Sequence, residues 1–117
     1  MARLSTHVLD TSRGQPARDV VVDLHVLENG ERRHLKTVST NRSGRTDEPL
    51  LSGERVEAGV YELTFHAADY FRGTGVELAD PPFLDRVVIR FGLADSAGDY
   101  HIPLLLAPYG YSTYRGS

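Results

Sequence analysis

Tyr100 to Ser117 reads YHIPLLLAPYGYSTYRGS, and this run decides the architecture. Tyr100, Ile102, Leu104 and Leu106 alternate with His101, Pro103, Leu105 and Ala107, the two-residue period of a strand. Pro108 and Gly110 punctuate the run. Tyr111-Ser112-Thr113-Tyr114 then resumes it with aromatic and β-branched residues, so a second strand follows a tight turn. The first of these strands is apolar on both faces apart from His101. Such a strand is either doubly buried within one domain or has its outer face covered by another subunit. The run closes on Tyr114-Arg115-Gly116-Ser117, a strand leading straight into a cation, and this ending predicts a terminus held in a definite place.

Upstream, the chain also reads as strands. Leu4, Thr6 and Val8 alternate with Ser5, His7 and Leu9, ended by the turn-rich DTSRGQPA. Val20, Val22, Leu24 and Val26 form an apolar face against Asp23 and His25, and Asn29-Gly30 is a hairpin signal leading to HLKTVST. Residues 41–59 are polar, carry glycines and Pro49, and form a stretch too long to lack regular structure unless it is functional. Tyr61, Leu63 and Phe65 make the next strand. Ala67 to Arg72 predicts one or two helical turns stopped by Gly73 and Gly75. After the Asp80-Pro81-Pro82 loop, Val87, Ile89, Phe91 and Leu93 alternate with Val88 and Arg90. Seven or eight strands and one short helix, with turns at sandwich spacing, predict an all-β sandwich.

With 117 residues the chain fits one domain, 1–117, able to bury well over half its unfolded surface. A net charge of -3, with no basic patch interleaved with aromatics, argues against nucleic acid as a partner. The absence of cysteine removes thiol nucleophiles, thiolate metal sites and disulfides. Met1 to Asp10 holds no apolar run of signal-peptide type and no stretch is long enough to span a bilayer, so the expectation is a soluble, cytoplasmic protein with no membrane partner.

The candidate chemistry rests on histidine and arginine. His25 sits beside Asp23 on a polar strand face, His34 follows Arg32-Arg33 at a hairpin, and His66 opens the helix; all three read as solvated or locally capped. His7 and His101 lie opposite their strands' main apolar sets and so point outward. Parity alone makes them two unrelated surface histidines. If the first and penultimate strands are neighbours, the two imidazoles meet, and with an arginine nearby they suffice to activate water and stabilise an oxyanion. Arg45, in NRSGRTD, lies on the long loop. No HxH, HxxxH or other ligand spacing argues for a metal, and no GxSxG elbow argues for a serine nucleophile.

THVLDTSRGQPA near the N-terminus, GRTD in the loop and the closing YHIPLLLAPYGYSTYRGS together resemble the transthyretin-related 5-hydroxyisourate hydrolases, in register over essentially the whole chain. The final YRGS is that family's discriminating signature; transthyretin, a hormone carrier of similar fold, lacks it and the catalytic histidines. The resemblance implies a two-sheet, eight-stranded sandwich with a short helix, and a homotetramer with active sites in a channel between dimers. It implies ring opening of 5-hydroxyisourate to 2-oxo-4-hydroxy-4-carboxy-5-ureidoimidazoline, with no metal and no cofactor. Carried over by motif, His7, Arg45 and His101 are the catalytic positions, and His7, Arg45, Tyr114, Arg115, Gly116 and Ser117 hold the substrate. Ser43 stands where members often have Asp, which predicts a softer loop. The rival reading is a non-catalytic carrier of a small aromatic ligand; two histidines and an arginine in an otherwise apolar channel are costly for one, because buried polar groups need partners.

Overall fold

The computed structural model describes residues 3–53 and 56–116. Two sheets face each other. One runs β2 (Gln15–Pro16), β1 (Arg3–Asp10), β8 (Asp99–Ala107), β9 (Gly110–Thr113), with β5 (Leu51–Ser52) also on β1. The other runs β4 (Glu31–Ser39), β3 (Val21–Glu28), β6 (Gly59–Phe65), β7 (Val87–Leu93). A single helix among the described residues, α1 (Ala67–Gly73), follows β6.

Alternation explains the layering. Leu4 and Val8 of β1, Val22 and Leu24 of β3, Leu63 and Phe65 of β6, and Leu104 and Leu106 of β8 are all fully buried between the sheets. Ala67, Tyr70 and Phe71 of α1 join the same cluster. Asn29 (φ 53°) and Gly30 (φ 80°) both take positive φ, the two-residue hairpin geometry that matches strand twist and joins β3 to β4. Asp10, fully buried at the end of β1, accepts hydrogen bonds from Ser12 N (3.0 Å) and the Tyr70 hydroxyl (2.8 Å), tying the turn after β1 to α1.

The expected strands are present, and two short ones are added. Gln15–Pro16 and Leu51–Ser52 are too brief to show a period; they form because β1 offers them an open edge. The long stretch from 41 is accordingly anchored in the core by Leu50, Leu51 and Val56. Glu62 faces outward as its parity requires, yet it is only 5% exposed, because Arg32 and Arg90 close over it with ion pairs of 2.8 and 2.9 Å.

β1 and β8 lie side by side in parallel, with Ser5 opposite His101 and His7 opposite Pro103. Pro103 stays in the strand because its missing N–H falls where the ladder to β9 is broken. That ladder runs to Leu104↔Thr113, and pairing resumes only at His101↔Gly116. Leu105 and Ala107 remain half-buried on the outer face of the sheet.

Candidate active site

β1 and β8 bring the two outward histidines onto one face, and a loop brings the arginine. Three short pieces in turn cover the outer edge of β1: Leu51–Ser52 against Arg3 and Leu4, Arg45 against His7, and Gln15–Pro16 against Leu9 and Asp10. The middle piece is shaped by Asn41, whose Oδ1 accepts from Ser43 N (2.9 Å), Ser43 Oγ (2.9 Å) and Arg45 N (3.2 Å), while Asn41 N donates to Arg45 O (2.7 Å). Ser43 is thus one of the groups that fix the loop.

Gly44 supplies the close approach. It sits at φ +76°, its carbonyl accepts from Val8 N (2.8 Å), and a Cβ there would collide with the Val8 carbonyl and stand 3.2 Å from Cδ2 of His7. The loop backbone is therefore pressed onto the His7 ring, with Arg45 next in line.

The electrostatics favour neutral imidazoles. Burial holds His7 below the ordinary histidine range and the Arg45 charge adds to this, while a hydrogen bond with the Ser43 backbone opposes them. His101 is lowered by burial first, then by Arg45 and by His7. Two neutral rings beside a permanent cation provide a proton acceptor and an anion stabiliser in one place. A cleft of about 230 Å³ opens here, lined by Arg3, Ser5, Arg45, Asp99, Tyr100 and His101. A larger hollow of about 470 Å³, beyond the C-terminal end of β1, is bordered by Arg13, Arg18, Arg42 and the end of α1 and holds none of the histidines. Among the described residues, no group of three or more His, Cys, Asp or Glu side chains is placed to hold a metal ion.

A family model described as the HIUase/Transthyretin family matches residues 4–116. The chain belongs to this family. A 5-hydroxyisourate hydrolase 2 of Rhizobium meliloti (strain 1021) is 57% identical over 115 residues, spanning 98% of this chain and 96% of its own. The solved structure of Klebsiella pneumoniae 5-hydroxyisourate hydrolase superposes with a TM-score of 0.82 at 38% identity, covering all of both chains. Sea bream transthyretin, in complex with thyroxine, gives 0.86 at 26% identity over 97% of this chain and 94% of that one. The backbone alone therefore does not separate a 5-hydroxyisourate hydrolase from a transthyretin that holds thyroxine.

The terminal tetrapeptide divides in the structure. Gly116 N donates to His101 O (2.8 Å), and a Cβ on Gly116 would stand 2.6 Å from His101 Cδ2. Gly116 has no positive φ; what its missing side chain allows is close packing on the ring. Arg115 lies 4.2 Å from the centre of the Tyr100 ring, which lines the cleft, and Nη2 donates to Asp99 O at 3.4 Å. Arg115 is not itself among the residues lining that cleft; with Tyr114 it borders a second hollow, which shares Tyr100 with the first. Tyr114 is 59% exposed and borders this second, more apolar hollow with Ile89, Phe91 and Ile102. Within one protomer it is not gathered with His7, Arg45 and His101. Ser117 lies outside the described residues.

Sequence reasoning missed Ser5 and Arg3. Both share the parity of His7 on β1, and both line the cleft with Arg45, so the alternation that singled out His7 held the signal for them. His25, His34 and His66 cluster on the outer face of the other sheet. His66 Nε2 meets Asp23 Oδ2 at 2.7 Å, His34 Nε2 bonds Thr37 Oγ1 at 2.8 Å, and the His25 and His34 rings meet edge-on at 5.3 Å. None of the three lines the cleft.

Proposed function

We propose that the chain hydrolyses 5-hydroxyisourate, opening its six-membered ring at a cyclic amide, with water as the nucleophile and no metal or organic cofactor. A neutral imidazole takes a proton from water, and the resulting hydroxide adds to the amide carbonyl carbon. Arg45 stabilises the negative oxygen so formed. The carbon–nitrogen bond then breaks, and the imidazolium returns its proton to the leaving nitrogen, so the base is regenerated and one water is consumed.

The observation that carries this reading is the convergence of His7, Arg45 and His101, with both histidines held toward their neutral form beside the cation. The 57% identity to a protein described as a 5-hydroxyisourate hydrolase supports the substrate. A carrier would gain nothing from such a cluster, since each of these polar groups loses hydration when a neutral aromatic ligand covers it. Arg115, Gly116 and Ser117 belong to the same site in this reading, Gly116 through its contact with His101 and Arg115 through Tyr100. Tyr114 reaches substrate only from a neighbouring subunit or after a change of rotamer. We place the protein as a cytoplasmic homotetramer, with its outer Leu105 and Ala107 strip buried between dimers and the clefts opening into the channel so formed.

Freshly generated 5-hydroxyisourate in tenfold or greater excess over protein separates the two readings. An enzyme consumes many equivalents and yields the ureidoimidazoline. A carrier protects at most one equivalent per site, and that outcome would overturn the proposal.

A further inference from the structure

Ser5 lies directly opposite His101 across the parallel β1–β8 pair, and its Oγ is 2.8 Å from His101 Nδ1. Among the described residues, the Ser5 hydroxyl has no second hydrogen-bond partner, and it lines the cleft together with Arg45. On its other edge the His101 ring meets Gly116, whose missing side chain leaves room for Cδ2 and Cγ and for no more. The imidazole is thus gripped from two sides. Rotating it by half a turn about Cβ–Cγ would swap Nδ1 with Cδ2, break the bond to Ser5 and turn a polar nitrogen toward the glycine.

We propose that Ser5 is a positioning residue for His101: its hydroxyl accepts a hydrogen bond from Nδ1–H and so leaves Nε2 as the bare nitrogen that takes the proton from water. The inference rests on the hydrolase reading above and adds to it a choice of base. In a neutral imidazole one nitrogen carries the proton and the other holds a lone pair, and the partner of one decides the state of the other. With Ser5 as the acceptor, the proton stays on Nδ1 and the lone pair is left on Nε2. The charged and titratable groups around this ring are Arg45 on the loop, His7 and Arg3 on β1, and Asp99 on β8. Arg45 and His7 both disfavour the imidazolium, which keeps the lone pair available until water is deprotonated.

The test uses the full-length protein with Ser5→Ala and Ser5→Thr, read in two ways. In steady-state hydrolysis of 5-hydroxyisourate, Ser5→Ala should lower kcat by roughly 10–100-fold, the size found when the hydrogen-bond partner that orients a metal-ligating imidazole is removed. KM should change little, and Ser5→Thr, which keeps the hydroxyl, should restore most of the rate. Nitrogen-15 NMR of the histidine rings, at a pH where His101 is neutral, should show wild-type His101 protonated on Nδ1 and Ser5→Ala with that preference lost. Wild-type kcat in Ser5→Ala, or an equal loss in Ser5→Thr, would overturn the proposal, and so would a wild-type His101 protonated on Nε2. The NMR arm needs no substrate. If the wild-type protein fails to turn over 5-hydroxyisourate, the activity reading falls, and the wild-type tautomer still shows whether Ser5 sets the ring.

Discussion

A Cβ on Gly116 would stand 2.6 Å from Cδ2 of His101, so the C-terminal segment and the β8 histidine are in contact with no room between them. Real Cβ atoms do not sit that close, and Gly116 N is meanwhile bonded to the His101 carbonyl, so the backbone cannot easily retreat. Gly116→Ala must therefore displace the imidazole. A shift of about 1 Å in a reacting group costs on the order of 10²-fold in rate. The expected result is a folded protein with an unchanged melting temperature and a kcat lowered by about that factor. A variant with wild-type turnover would mean that the ring position does not matter.

Acid should silence the site later than an ordinary histidine would suggest. A base must be unprotonated, and burial together with Arg45 holds both His7 and His101 below the usual histidine range. As pH falls, kcat/KM should stay level through that range and decline only beneath it. The sign for stability is the same: the unfolded chain takes up these protons first, so folding weakens as pH drops from the ordinary value toward the lowered one. A pH–rate profile whose acid limb sits above the ordinary histidine value would contradict the electrostatic account.

The buried Asp10 gives a prediction about stability alone. Its carboxylate, fully enclosed, is held by Ser12 and by the Tyr70 phenol, which burial and this partner push up to about 12. Tyr70→Phe removes one donor from an enclosed charge, a loss of about 1–3 kcal/mol. Denaturant unfolding should show that loss while turnover at low temperature stays near normal. An unchanged midpoint would mean that water replaces the phenol.

Most of the sandwich was legible from the sequence because its strands alternate cleanly. The doubly apolar β8 could be read in two ways, and within one protomer Leu105 and Ala107 stay half-buried, so the covering of that face is not completed by this chain alone. The two-residue strands β2 and β5 were not legible, since no period fits in two residues and their pairing depends on the edge of β1. Within the site, parity found His7 and His101 but not their nearness, which comes from the parallel register of strands distant in sequence. The reasons for Gly44 and Gly116 lay in three-dimensional contact with a ring and a carbonyl, and a glycine in sequence suggests a turn first.

Assembly follows from the surface that remains. Leu105 and Ala107 are half-buried on the outer face of β8, a strip that a monomer would leave in water. Sedimentation at micromolar concentration should give a species near four times the protomer mass. Leu105→Glu should shift it toward smaller forms. A wild-type protein that sediments as a monomer would remove the channel from the account.

The most direct test compares wild type and His101→Ala on freshly made 5-hydroxyisourate, following its absorbance at matched protein concentrations. The account predicts that the wild-type protein speeds the decay well above buffer, that EDTA leaves the rate unchanged, and that His101→Ala loses about 10²–10⁴-fold while remaining folded. Decay at the buffer rate with folded wild-type protein, or an undiminished rate in His101→Ala, would contradict it.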